Sequence, residues 1–244
     1  MLVQSEMGAA GPSGSLLVVA DGIRMLSPLA VIMVGTAFGF DDSKLKIGDI
    51  LVSRQLFGYE LQKVATNDKS QRMEFISRGD RPQASPRLLD HFRIGVLDWQ
   101  GPKVAFGLLL SGDKLIDNLD YREQLRTFEP EALGGEMEGT GLYSAAQRSR
   151  VDWIIIKAIC DWADGNKAQN KAARQQVAAE NATRFTLHVL KQGRPITGIL
   201  ILSEVLPGRQ MGQPLLPPRT IEQHAFGKQR PATISIPTTA TLTG

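Results

Sequence analysis

Apolar residues recur at helical spacing in some stretches of this chain and run together in others, and the two patterns alternate along its length. Leu16, Val19, Ala20, Ile23 and Leu26 fall three or four positions apart behind Pro12 and two serines suited to a first turn, which predicts a helix over residues 12–27. Residues 30–37 (AVIMVGTA) are a continuous apolar run rich in β-branched side chains, the mark of a strand covered on both faces. The same reading predicts strands at 49–56, 59–65, 104–110 and 153–159 and helices at 85–99, 119–128, 140–149 and 168–191. Such alternation argues for an α/β fold with a mostly parallel sheet, in which ligands collect beyond the carboxyl ends of the strands. Gly35-Thr36, Ser111-Gly112-Asp113, Glu136-Met137-Glu138 and Cys160-Asp161 all follow apolar runs.

After Gln192 the pattern stops. Residues 193–244 are rich in proline and glycine without a sustained period, so a folded domain over 1–192 and a largely disordered tail over 193–244 are expected. Within that tail only 199–202 (ILIL) suggests structure, one edge strand. With 42% hydrophobic and 22% charged residues the chain has a globular composition. A formal charge of only +3, with no basic run interleaved with aromatics, argues against a nucleic-acid partner. No apolar run reaches the roughly 18 residues that span a bilayer, so no membrane partner is expected. The single cysteine, Cys160, excludes an intrachain disulfide and a cysteine zinc site, and His91, His188 and His224 lie far apart. A reducing, cytoplasmic setting without metal or cofactor is the expectation.

Three stretches together, 31–53 (VIMVGTAFGFDDSKLKIGDILVS), 107–116 (GLLLSGDKLI) and 134–164 (GGEMEGTGLY through IIIKAICDWAD), resemble the nucleoside phosphorylase and nucleosidase superfamily. The nearest branch is that of 5'-methylthioadenosine/S-adenosylhomocysteine nucleosidases, and ICDWADGNK resembles members attached to NTPase or effector modules in defence proteins. The resemblance implies a three-layer α/β/α nucleoside phosphorylase-like fold around a mostly parallel central sheet. It implies hydrolysis of the N-glycosidic bond of a purine (adenine) nucleoside or nucleotide, with phosphorolysis, or a catalytically dead nucleoside-sensing or oligomerisation module, as alternatives. It also implies a small-molecule purine ligand, a homo-oligomer, and a place as a module of a larger defence-type protein. Relatives carry an N-terminal strand with a water-activating glutamate before the Gly-rich segment matched here by residues 7–13, so the chain reads as N-terminally truncated.

Cleaving such a bond pushes negative charge onto the base and leaves the ribose cation-like, so the site needs an acid at the purine and an anion at the sugar. By resemblance Asp161 is that acid, acting at purine N7 with a raised pKa that the apolar approach 154–159 would supply by desolvation; by residue type alone it reads as a helix N-cap. Glu138 matches the carboxylate that takes the ribose hydroxyls, against the plainer reading of a solvated acid at a helix N-terminus. Met137 matches the side chain packed on the sugar, and Glu136 is either a supporting carboxylate or an exposed one. Thr36 and Ala37 match the lining of the ribose and nucleophile pocket and otherwise read as a turn after the strand. Leu115 and Ile116 match positions that pack on the base, while Lys114 reads as a solvated loop lysine. Cys160, with no histidine placed to activate it, reads as a small buried residue beside the substrate rather than a nucleophile. Met33 stands where phosphorolytic relatives carry an arginine, which favours water over phosphate as the attacking group.

Overall fold

The computed structural model describes residues 1–66, 68, 71, 73–166, 170–192 and 198–204. In chain order the elements are β1 (Leu2–Ser5), α1 (Ser15–Leu26), β2 (Ala30–Gly39), β3 (Ile50–Gly58), β4 (Gln62–Thr66), β5 (Met73–Ser77), α2 (Pro86–Gly95), β6 (Val104–Ser111), α3 (Leu119–Phe128), β7 (Ala132–Glu136), α4 (Gly139–Ser149), β8 (Asp152–Asp161), α5 (Lys171–Lys191) and β9 (Ile199–Glu204). Helix boundaries follow local chemistry. Pro86 opens α2, Asn118 Oδ1 accepts the Tyr121 N–H at the start of α3, and α1 ends where Ser27 turns left-handed and bonds back to Ile23 O.

Seven strands form the main sheet in the order β1-β9-β2-β7-β6-β3-β8, and β2 also pairs with β8. Five of them, β2, β8, β3, β6 and β7, therefore close into a ring, from which β9 and β1 extend. All main-sheet pairings are parallel except β2–β7 and β3–β8. Strands β2 and β8 lie at the centre and are buried almost throughout, which is why their sequences read as continuous apolar runs. The register sets Met33 beside Ile155 and Gly35 beside Lys157, with Leu202 on the other side of Met33. Gly139 at the start of α4 lies so close to Ile155 that an added Cβ would stand 2.9 Å from its side chain. The face carrying Ile155 and Lys157 is thus the one that α4, with α1 packed on it, covers. Because side chains alternate across a strand, Ile154, Ile156 and Ala158 are left for α5, which packs on β2, β3 and β8, the strands α4 also meets, and against α2. The α/β architecture with helices on both faces of a mostly parallel sheet is the one the alternation predicts.

Several boundaries differ. Pro12 and Ser13 belong to a loop, not to α1, and this loop's carbonyls cap the helix: Gly8 O and Ala9 O accept the N–H groups of Ser15 and Leu16. The strand expected from Tyr59 starts at Gln62, since Tyr59 and Glu60 form a turn. Thr36 and Ala37, expected to follow the strand, lie inside β2, which continues to Gly39 because Phe38 and Gly39 gain β7 as a partner. Helix α2 stops at Gly95 instead of Trp99. The run at 199–202 is not an edge strand. It is an inner strand, β9, with β1 on one side and β2 on the other, and it buries Leu200 and Leu202 completely. Residues 193–197 and 205–244, and Ala168 at the expected start of α5, lie outside the described residues.

Candidate active site

The carboxyl ends of β2, β7 and β8 meet at one place. Phe38 of β2 pairs with Gly135 of β7 on one side and Asp161 of β8 on the other, so the acids that end β7 and β8 flank the end of β2. Glu136 and Glu138 are 5% and 2% exposed, Lys157 is fully buried, and Asp161 is 4% exposed. The desolvation of that many charges has to be offset by fixed partners.

At the β7 end the partners are a lysine and backbone amides. Lys157 Nζ lies 2.9 Å from Glu138 Oε2 and 3.4 Å from Glu136 Oε2. Glu136 accepts the N–H groups of Glu138 at 3.0 Å and Gly139 at 2.9 Å, which holds the first turn of α4 directly over the carboxylate. Glu138 Oε1 accepts the Gly8 N–H at 2.9 Å, a contact available because Gly8 takes φ +97, a region that favours glycine. Ser15 Oγ donates to the Glu138 carbonyl at 2.6 Å. Burial pushes the Glu136 carboxyl up from its ordinary range, Lys157 opposes that shift and the charge on Glu138 adds to it, with hydrogen bonds from Ser111 and the Glu138 amide pulling the other way. Ser111 Oγ also accepts the Thr140 N–H at 3.0 Å, so one hydroxyl joins the end of β6 to α4.

At the β8 end the chain turns sharply. Asp161 Oδ1 accepts the Ala163 N–H at 2.9 Å, and Cys160 Sγ lies 3.2 Å from Oδ2. Ala163 reaches that position with φ 52 while fully buried, a left-handed backbone that costs a non-glycine residue energy and marks sites where geometry is over-determined. Helix α3 and the loop before it hold the next residues: Arg122 Nη1 donates to Trp162 O at 2.9 Å and Asp117 Oδ1 accepts the Gly165 N–H at 3.1 Å. Among the described residues no group of histidine, cysteine and acidic side chains is placed to hold a metal ion, and no helix is long and apolar enough to cross a membrane. A cavity of about 210 Å³ opens beside the cluster between Leu56, Gly58, Gly112, Thr140 and Tyr143, and neither Glu138 nor Asp161 lines it.

Residues 1–191 match the family model of the phosphorylase superfamily. The chain belongs to that superfamily. It is 28% identical over 196 residues to a death domain-containing ATP nucleosidase of Amphimedon queenslandica, across 71% of this chain and 36% of that protein. It is 30% identical over 174 residues to a 5'-methylthioadenosine/S-adenosylhomocysteine nucleosidase of Staphylococcus epidermidis, across 68% of this chain and 69% of that one. The chain thus spans about a third of the first relative's length and about two thirds of the second's. Among solved structures, a nucleosidase of the same name from Colwellia psychrerythraea, in complex with adenine, superposes with a TM-score of 0.65 at 23% identity, covering 78% of this chain and 76% of that one. Futalosine hydrolase of Helicobacter pylori gives 0.64 at 22%, covering 77% of each. At these identities the structural likeness speaks for the fold.

Within this superfamily domain the residues singled out from sequence fall into three groups. Glu136, Glu138, Asp161 and Cys160 are buried at the convergence of strand ends, with Met137 half-buried between the two glutamates. Glu138 is not a solvated helix acid, and Asp161 caps no helix, since it ends β8 and a turn follows. Glu136 is not exposed: it is buried, and both its oxygens accept the Gly139 N–H at the start of α4. Thr36 is half-buried and Ala37 buried in β2. Ile116 is buried, whereas Leu115 is 55% exposed and Lys114 pairs with Glu60 at 2.7 Å on the surface. Sequence reasoning missed Lys157. A signal existed: a lysine in the middle of a strand that is otherwise wholly apolar must find a buried carboxylate, and Glu136 and Glu138 were available.

Proposed function

We propose that this domain hydrolyses the N-glycosidic bond of an adenine nucleoside or nucleotide, with Asp161 as the acid and Glu138 as the anchor for the ribose. One observation carries the reading: two buried carboxylates, at the ends of β7 and β8, flank the end of β2. Membership of the superfamily, and relatives named for adenine nucleoside and ATP cleavage, support it. Glu138 Oε1 accepts the Gly8 N–H and Oε2 the Lys157 ammonium, which fixes a carboxylate where a ribose hydroxyl would need an acceptor. Asp161 is held in place by the Ala163 amide at Oδ1 and the Cys160 thiol at Oδ2. In the step proposed, the electron pair of the C1'–N9 bond moves onto the purine, the Asp161 proton goes to N7, a water oxygen bonds to C1', and the proton that water sheds passes to solvent, from which Asp161 is reprotonated. A Glu138 carboxylate beside the sugar favours its cation-like form. Met33 is buried in the core where phosphorolytic relatives would place a cation, which supports water over phosphate.

The finer readings are proposals of the same kind. Leu61, Val64, Met73, Phe75 and Ile76 are exposed on and beside the β4–β5 pair, and a two-stranded sheet with apolar faces is marginal alone; this supports self-association through the hairpin. A cytoplasmic setting suits the one buried thiol, and a place in a larger protein fits the length of the Amphimedon relative.

The test is to incubate the full chain with a panel of adenine nucleosides and nucleotides, with and without phosphate. Free adenine with a ribose or ribose 5'-derivative, at a rate indifferent to phosphate, is the expected result. Ribose 1-phosphate rising with phosphate would make the protein a phosphorylase, and binding without release of base would make it a sensor. Sedimentation of the same sample reads the association.

A further inference from the structure

Four buried side-chain atoms have no hydrogen-bond partner among the described residues: Ser5 Oγ, Tyr59 Oη, His91 Nε2 and Ser203 Oγ. Buried hydroxyls are costly to leave unpaired, and each exception calls for an explanation. Tyr59 is the one that shares a buried cluster with residues next to Asp161. It is 1% exposed and belongs to the buried cluster that includes Phe38, Ile116 and Ala163. Phe38 pairs with Asp161, the Ala163 amide holds the Asp161 carboxyl, and Ile116 follows the Ser111-Gly112-Asp113 turn. The Tyr59 ring lies against that turn: a Cβ at Gly112 would stand 2.7 Å from the hydroxyl oxygen, so only glycine leaves the hydroxyl room. The neighbouring segment Asp113–Leu115 is exposed, which gives a ligand a side from which to approach.

We propose that Tyr59 reads the purine, its hydroxyl donating a hydrogen bond to a ring nitrogen of the bound base, an inference that rests on the purine-site reading above. Burial pushes the phenol's pKa up, and the surrounding Tyr121, Glu60, Glu136 and Asp113 act in the same direction, so the group stays protonated and can donate. Adenine offers acceptor nitrogens at N1, N3 and N7. With N7 given to Asp161, N1 and N3 remain. As the glycosidic bond breaks, electron density accumulates on these atoms and the hydrogen bond strengthens, which would make Tyr59 a contributor to the rate as well as to recognition.

The experiment compares wild type and Tyr59→Phe, as full chains, for binding of adenine, 1-deazaadenine and 3-deazaadenine by calorimetry, with melting temperature measured alongside. In wild type, the analogue lacking the contacted nitrogen should bind about five- to tenfold more weakly than adenine, the range of one neutral hydrogen bond. Tyr59→Phe should lose a similar factor for adenine, cease to distinguish that analogue, and melt no lower than wild type. Equal affinities in both proteins for all three bases would overturn the inference. So would a lower melting temperature with unchanged adenine affinity, which would mean that a buried water satisfies the hydroxyl. Adenine binding that follows the expected pattern without release of adenine from any nucleoside would refute the hydrolase reading and leave Tyr59 in place. Failure of wild type to bind adenine would overturn both.

Discussion

The two ends of the site are buried to a similar degree and held in different ways. At the β7 end, Glu136 and Glu138 are surrounded by permanent donors: a lysine ammonium, three backbone amides and the start of α4. At the β8 end, Asp161 is held by one amide on a left-handed alanine and by a thiol, next to the aromatic and aliphatic cluster around Tyr59. The first arrangement keeps charge in a low-dielectric place by matching it with fixed positive ends. The second fixes one carboxylate within an apolar surround. A single strand, β8, carries both the Lys157 cation and the Asp161 acid, four residues apart, so the two environments are rigidly related.

The comparison can be broken or sharpened by perturbations of decreasing size. Truncation before Gly198 removes β9, and with it the burial of Leu200 and Leu202. A loss on the order of 3–6 kcal/mol in denaturant unfolding is expected for two fully buried leucines, and it should weaken both ends of the site together. A tail that proves dispensable would mean β9 does not support β2. Lys157→Met should act on one end only, costing about 3–5 kcal/mol because two buried carboxylates lose their counter-charge; a loss below 1 kcal/mol would show that the pair is hydrated. Asp161→Asn keeps the shape of the other end and removes its proton, so purine release should fall on the order of 10²-fold or more with the melting temperature nearly unchanged. Wild-type turnover in that variant would dismiss Asp161 as the acid. Glu138→Gln should weaken cleavage of ribosides by about 1.5–3 kcal/mol and of 2'-deoxyribosides much less, and equal losses on both sugars would argue against the ribose contact. The smallest effect concerns pH. A carboxyl whose folded pKa lies above its unfolded value binds more protons when folded, so the contribution of Glu136 to stability is present below the ordinary glutamate range and declines as pH rises through its raised folded value. Wild type should therefore lose some stability over that interval and Glu136→Gln should not, as unfolding at a series of pH values would reveal.

Much of the site was legible along the chain, but unevenly. Glu-Met-Glu and Cys-Asp announce themselves as acids at strand ends, and helix α3 falls on its expected residues because Leu119 to Phe128 keep a clear period. Strand β7 carries no such signal. Its sequence, Ala-Leu-Gly-Gly-Glu, has little preference for a strand, and it is held by parallel pairing with β6 on one side and by Phe38 and Gly39 of β2 on the other. Strands β1 and β5 are too short, or too exposed, to show a period. The extent of α2 was overestimated because the apolar positions continue past Gly95 into a turn.

The sequence by itself determined the five helices, the strands β2, β3, β4, β6 and β8, and the buried character of β2 and β8, because these depend on local periodicity and on the burial of apolar runs. Only the tertiary structure decided how those parts combine. Lys157 looks like an interruption in an apolar strand until the register brings its ammonium to Glu138. The run at 199–202 looks like the start of a polar tail until β2, whose outer edge would otherwise hold unpaired N–H and C=O groups, takes it as an inner neighbour. Tyr59 looks like the first residue of a strand until the ring is set against Gly112. In each case the deciding contact joins residues 19 to 169 positions apart, and no local pattern encodes which distant group will satisfy a buried charge, edge or hydroxyl.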